Sequence, residues 1–145
     1  MRYLLVDGHS VIFAWPELRR RHARRREGAR EELVKHLTAY QDASGVRVVA
    51  VFDGKGAQGG EATEPGGIQV FYSAAGQSAD EVIERLVAKY AHRHEITVAT
   101  DDNLERQTAL SFGAVVVSTE HLRELLAEAQ GDLARRLKRH RRQAS

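Results

Sequence analysis

Residues 96–118, ITVATDDNLERQTALSFGAVVVS, read as a strand, a helix and a second strand in direct succession. Ile96 to Ala99 is a short β-branched run, Thr100, Asp101 and Asp102 are helix-starting residues, the helix runs to about Phe112, and Gly113 stops it before the strand Ala114 to Val117. A helix joining two strands carries the chain back to the end of the sheet at which the first strand began, so the strands lie parallel.

The same alternation extends towards the N-terminus. Strand-like runs occur at Arg2 to Val6, ending at Asp7, at Val46 to Phe52, ending at Asp53, and at Ile68 to Tyr72. Between them, Val11, Ile12, Phe13 and Trp15 suggest a short apolar helix, and residues Glu27 to Asp42 carry Leu33, Leu37 and Tyr40 on one helical face, closed by Ser44 and Gly45. Ser78 and Glu81 form a capping box for a helix that runs to about Arg93. The fold class expected is α/β: a three-layer Rossmann-like domain around a central parallel sheet, with strand order 3-2-1-4-5. Residues 54–67, GKGAQGGEATEPGG, lack apolar periodicity and are expected to form a mobile loop. The last helix spaces Leu122, Leu125, Leu126, Ala129, Leu133 and Leu137 helically, with a local weak point at Gly131. One domain is expected over residues 1–134, followed by a basic tail over 135–145.

At 145 residues the chain can bury roughly two-thirds of the surface its unfolded form exposes. It has no cysteine, which excludes disulfides, thiolate metal sites and cysteine nucleophiles and suits a reducing compartment. The apolar run before Asp7 is too short for a signal segment, and no stretch reaches the roughly 20 apolar residues of a membrane span, so a cytoplasmic protein with no membrane partner is expected. Formal net charge is only +2, but the cations are clustered. Arg19, Arg20, Arg21, Arg24, Arg25 and Arg26 form one block, and Arg135, Arg136, Lys138, Arg139, Arg141 and Arg142 form another. An arginine run on its own is a solvated helix face; two in a small domain point to a polyanion, because arginine pairs bidentately with phosphate and stacks on bases.

The acids fall where an α/β sheet collects its ligands. Asp7, Asp53 and the pair Asp101 and Asp102 each follow a strand, and carboxyl ends of parallel strands gather at one edge. With strands about 4.8 Å apart, Asp7 and Asp102 would flank the switch in strand order closely enough to share an ion. Asp80 stands in the first turn of its helix and on one face with Glu84. Each acid also has a purely structural reading: Asp80 and one of Asp101 and Asp102 as helix-terminal acids, Asp53 and Asp7 as turn residues. Crowded carboxylates repel unless a cation lies among them, and Mg²⁺ or Mn²⁺ suits an all-oxygen site. Acids holding such an ion, with arginines around them to grip the substrate backbone, form the arrangement that phosphodiester hydrolysis requires.

Other patterns are weaker. GKGAQG, residues 54–59, matches a dinucleotide fingerprint but no helix is expected to follow it, and a Walker A motif is absent. His92 and His94 are read as helix-end cations, and no third group turns His9 and Ser10 into a hydrolytic triad. Trp15, Phe13 and Tyr40 are read as core aromatics rather than base-stacking ones.

With these residues in view, LLVDGHSVIFAWPEL (4–18), VVAVFDGKG (48–56), SADEVIERL (78–86) and VATDDNLERQTALSFGAVVVS (98–118) together resemble the YacP-like branch of the NYN ribonucleases, which have a PIN-like fold. The resemblance implies a metal-dependent endoribonuclease, and bacterial members of the family are linked to ribosome-associated mRNA cleavage. Carried over by position, it implies metal-site and catalytic roles for Asp7, Asp80 and Asp102; Asp101 and Asp53, which follow strands, are supporting metal candidates, and Mg²⁺ or Mn²⁺ is the expected cofactor. RNA contacts are expected from His9, Ser10, Arg19, Arg20, Arg24, Arg25, Arg135, Arg136 and Arg139, with the ribosome as a further partner. The family's opening Asp-Gly-Tyr-Asn is here Asp7-Gly8-His9-Ser10. The alternative function is a non-catalytic RNA- or ribosome-binding module that retains the fold.

Overall fold

Short β-branched runs build a six-stranded sheet in the computed structural model, which describes residues 1–54, 60–63 and 67–144. Its strands are β1 (Arg2–Asp7), β2 (Arg47–Phe52), β3 (Gly60–Thr63), β4 (Gln69–Tyr72), β5 (Glu95–Ala99) and β6 (Val115–Val117), in the order β3-β4-β2-β1-β5-β6. Five of them are parallel, β4-β2-β1-β5-β6, which is the 3-2-1-4-5 arrangement read from the sequence. Val6 at the centre faces Ala50 of β2 and Ala99 of β5, so the ends of β1 and β5 lie level.

The expected loop over 54–67 is corrected in part. Gly60–Thr63 forms the edge strand β3, antiparallel to β4, with Gly60 opposite Tyr72 and Thr63 opposite Gln69. An edge strand pairs through backbone donors and acceptors on one side only, so it needs no apolar alternation, and that was the signal absent from the segment. Residues 55–59, most of the GKGAQG pattern, and 64–66 lie outside the described residues.

The helices are α1 (Gly8–Ala14), α2 (Pro16–Arg24), α3 (Arg26–Ser44), α4 (Ala79–Tyr90), α5 (Asn103–Ser111) and α6 (Thr119–Ala144). Alternate strand residues point to opposite faces. Leu4, Val6, Val48, Ala50 and Phe52 pack under α1, α2, α3 and α6 with Leu18, Leu33, Leu37 and Leu122. Leu5, Val49, Val51 and Val98 pack under α4 and α5 with Val82, Ile83, Val87 and Ala109. Each fully buried aliphatic side chain contributes about 1.5–3 kcal/mol. Trp15 is core, as expected, and its Nε1–H donates to the Thr119 carbonyl at 3.1 Å, tying α2 to α6. Phe13, expected in the core, is instead 41% exposed. Helix α6 passes through Gly131 and carries the basic segment to Ala144 with its side chains in solvent. Among the described residues, no helix is long and apolar enough to cross a membrane.

Candidate metal centre

Asp7 ends β1 and caps α1, at the point where the chain's crossovers diverge to β2 on one side and β5 on the other. It is 4% exposed and its orientation is fixed by hydroxyls. Ser10 Oγ donates to Asp7 Oδ2 at 2.8 Å, and Thr100 Oγ1, at the end of β5, donates to the same oxygen at 3.2 Å. The turn into α1 is tight against the Phe52 ring: a Cβ on Gly8 would lie 2.3 Å from its Cε1, so a side chain there would have to displace the ring. Asp80 arrives from the first turn of α4, whose cap Ser78 accepts from the Glu81 N–H at 3.2 Å.

A third acid meets them from α5. Asp7, Asp80 and Glu105 each offer a carboxylate oxygen, all within 4.8 Å of one another. Glu105 is 1% exposed, and neither of its oxygens receives a hydrogen bond from a described residue. Burial first, and then the facing carboxylates of Asp80 and Asp7, push its carboxyl up to about 11. Such a group is tolerated in a folded protein when protonated or when a cation sits among the acids. Orphaned buried oxygens in an all-carboxylate donor set fit a hard divalent ion.

The other acids expected here have different neighbours. Asp102, implied as the third metal acid, caps α5, its Oδ1 accepting from Leu104 N–H at 2.9 Å and Glu105 N–H at 3.0 Å. It lies outside the three-acid group and holds the backbone of the residue that enters it. Asp101 binds Thr119, accepting from its N–H at 3.0 Å and its Oγ1 at 2.6 Å. Asp53 accepts from Ala79 N–H at 3.0 Å and so anchors the start of α4, next to Asp80.

Along the sequence Glu105 is masked by its spacing from Asp102, that of a cap and its N3 acid, which is a self-sufficient helical reading. The signal available was its phase. Glu105 and Ala109 are four apart on the buried face of α5, where an acid without a partner has no structural use.

Of the residues expected to touch RNA, Ser10 faces inward to Asp7, while His9 is exposed and packs on Phe13, ring centroids 4.5 Å apart. Arg19, Arg20 and Arg24 lie exposed on α2 and Arg139 on α6. Arg25 pairs with Glu31 at 3.5 Å, Arg135 with Asp132, and Arg136 donates to the Ala43 carbonyl at 3.3 Å. A separate cavity of about 250 Å³ at the other end of the strands, under Tyr3, Phe71 and Tyr90, is lined by no acid.

A family model described as the YacP-like NYN domain matches residues 4–145. The chain belongs to the YacP-like NYN family. Members of the NYN family are nuclease-like. The chain is similar to the protein YacP of Bacillus subtilis (strain 168), 36% identical over 141 residues that cover 96% of this chain and 81% of the relative. It is also similar to the crystal structure of Rae1 (YacP) from Bacillus subtilis, with TM-score 0.80 and 32% identity over 99% of this chain and 84% of that one. A mutant of Rae1 matches with TM-score 0.79 and 30% identity, over 94% and 81% of the respective chains. This YacP-like chain thus shares its fold with a solved relative.

Proposed function

We propose that this YacP-like protein is a metal-dependent endoribonuclease whose divalent ion, Mg²⁺ or Mn²⁺, is held by Asp7, Asp80 and Glu105. The observation that carries the reading is Glu105, a buried acid whose unpaired oxygens face two further carboxylates at the switch point of the sheet. Bound there, the ion supplies orientation of the attacking water and neutralisation of charge on the phosphodiester.

The chain's own residues do the rest. Ser10 and Thr100 hold Asp7 in one rotamer, Asp53 holds the first turn of α4, and Asp102 holds that of α5. Asp102 acts as a positioning residue for Glu105, and Asp101 ties the end of β5 to Thr119 at the start of α6. Arg19, Arg20 and Arg24 on α2 with Arg25 at its end, and Arg135, Arg136 and Arg139 in the basic segment 135–145, draw RNA in by its phosphates, and His9 offers a ring to a base. The substrate is RNA, met free or on the ribosome in the cytoplasm.

The test is cleavage of RNA by the purified protein in Mg²⁺ and in Mn²⁺, with Asp80→Asn and Glu105→Gln alongside. Both variants should lose cleavage by about a thousandfold or more while keeping RNA binding. Wild-type protein that binds RNA in a salt-sensitive manner but cuts none, free or ribosome-engaged, would instead be a binding module.

A further inference from the structure

A cleft of about 450 Å³ opens on the β5–β6 side of the acids and shares a wall with them. Thr100 and Asp101 line it, and both also reach the metal centre: Thr100 Oγ1 donates to Asp7 Oδ2 at 3.2 Å, and Asp101 N–H donates to Ser10 Oγ at 3.4 Å. Asn103 and Arg106 of α5 and Ser118 and His121 at the start of α6 complete the polar lining. The single acid in that lining, Asp101, already has both oxygens bound to Thr119. Arg106 is exposed, lines the cleft and has no side-chain partner among the described residues, so its guanidinium is uncommitted. The positive ends of α5 and α6 add to it. The cleft's volume lies in the range of small-molecule sites.

The geometry points to a nucleotide subsite: this cleft seats the nucleotide adjoining the one that is cut, with its phosphate on the Arg106 guanidinium. Asn103, Ser118 and His121 then offer hydrogen bonds to its sugar and base. This assignment rests on the endoribonuclease reading. Arginine suits the position because its planar fork binds a phosphate bidentately, which lysine cannot do.

The experiment is fluorescence anisotropy with labelled single-stranded oligoribonucleotides of decreasing length, on full-length protein made cleavage-inactive by Asp80→Asn. Added Arg106→Ala should weaken binding about tenfold and Arg106→Lys about threefold, while Arg47→Ala, at the amino end of β2, changes it less than about twofold. The Arg106 effect should vanish once trimming from one end, and not the other, leaves no nucleotide to fill the cleft. On otherwise wild-type protein, Arg106→Ala should raise KM with kcat little changed. Equal binding by the Arg106→Ala and Arg47→Ala proteins, or an Arg106 effect independent of oligonucleotide length, overturns the subsite. Absence of cleavage by wild type alongside a length-dependent Arg106 effect overturns the endoribonuclease and the placing of this nucleotide beside a cut, and supports the cleft as a nucleotide site of a binding module.

Discussion

Replacing Glu105 with glutamine keeps the side chain's shape and removes its ability to ionise, and it should raise stability without metal while abolishing stabilisation by metal. The carboxyl is pushed from its ordinary 4.5 to about 11. Its folded pKa lies above its unfolded one, so the folded state holds a proton that the unfolded chain gives up. The cost is absent below about pH 4.5 and grows as pH rises through neutrality. At pH 7 it is bounded by the 1.36 kcal/mol per pH unit accumulated above 4.5, about 3 kcal/mol. Glutamine escapes that cost and can donate to Asp7 and Asp80, so metal-free Glu105→Gln should be about 1–3 kcal/mol more stable at pH 7. In a chain of this length that is a Tm rise of roughly 3–10 °C. A divalent ion at about a hundred times its Kd adds about 2.7 kcal/mol to the wild type, again several degrees, and should add almost nothing to the variant. Because binding must displace the Glu105 proton, the metal-induced rise should grow between pH 6 and 8. Thermal melts in EDTA and in Mn²⁺ across that range are sufficient. Equal Tm for the two proteins in EDTA at pH 7 and 8, or equal responses to Mn²⁺, would refute the buried-acid account.

Two further substitutions test how the site is held. Asp102→Ala removes the cap of α5 and should cost about 0.5–2 kcal/mol, read from urea denaturation; as a positioning residue it should weaken the Mn²⁺ response without eliminating it, unlike Asp80→Asn. Gly8→Ala forces a Cβ into the Phe52 ring, at 2.3 Å from Cε1, and should destabilise by about 1–3 kcal/mol, with an intact Mn²⁺ response if the ring alone yields and a lost one if Asp7 is displaced.

Much of the architecture was legible along the chain because its causes are local. A parallel strand buried on both faces must be apolar throughout, so Leu4 to Val6, Val48 to Phe52 and Val98 to Ala99 announce themselves. The order 3-2-1-4-5 is the one expected of a Rossmann-like sheet, and it carries with it the placing of Asp7 at the switch. Asp80 was legible as an acid in a first turn, where capping chemistry marks the helix start. The edge strand β3 was not, since backbone pairing alone leaves no side-chain pattern.

Sequence by itself therefore determined which segments form the layers and which strand ends carry acids. Only the tertiary structure decided that Glu105, and not Asp102, closes the group with Asp7 and Asp80. Periodicity states that a helix exists, whereas the rotation of α5 about its own axis is set by Ala109 packing into the core and by Asp102 seizing the first amides. That rotation turns one carboxylate to the helix end and sends the next, one turn later, into the protein beside the other two.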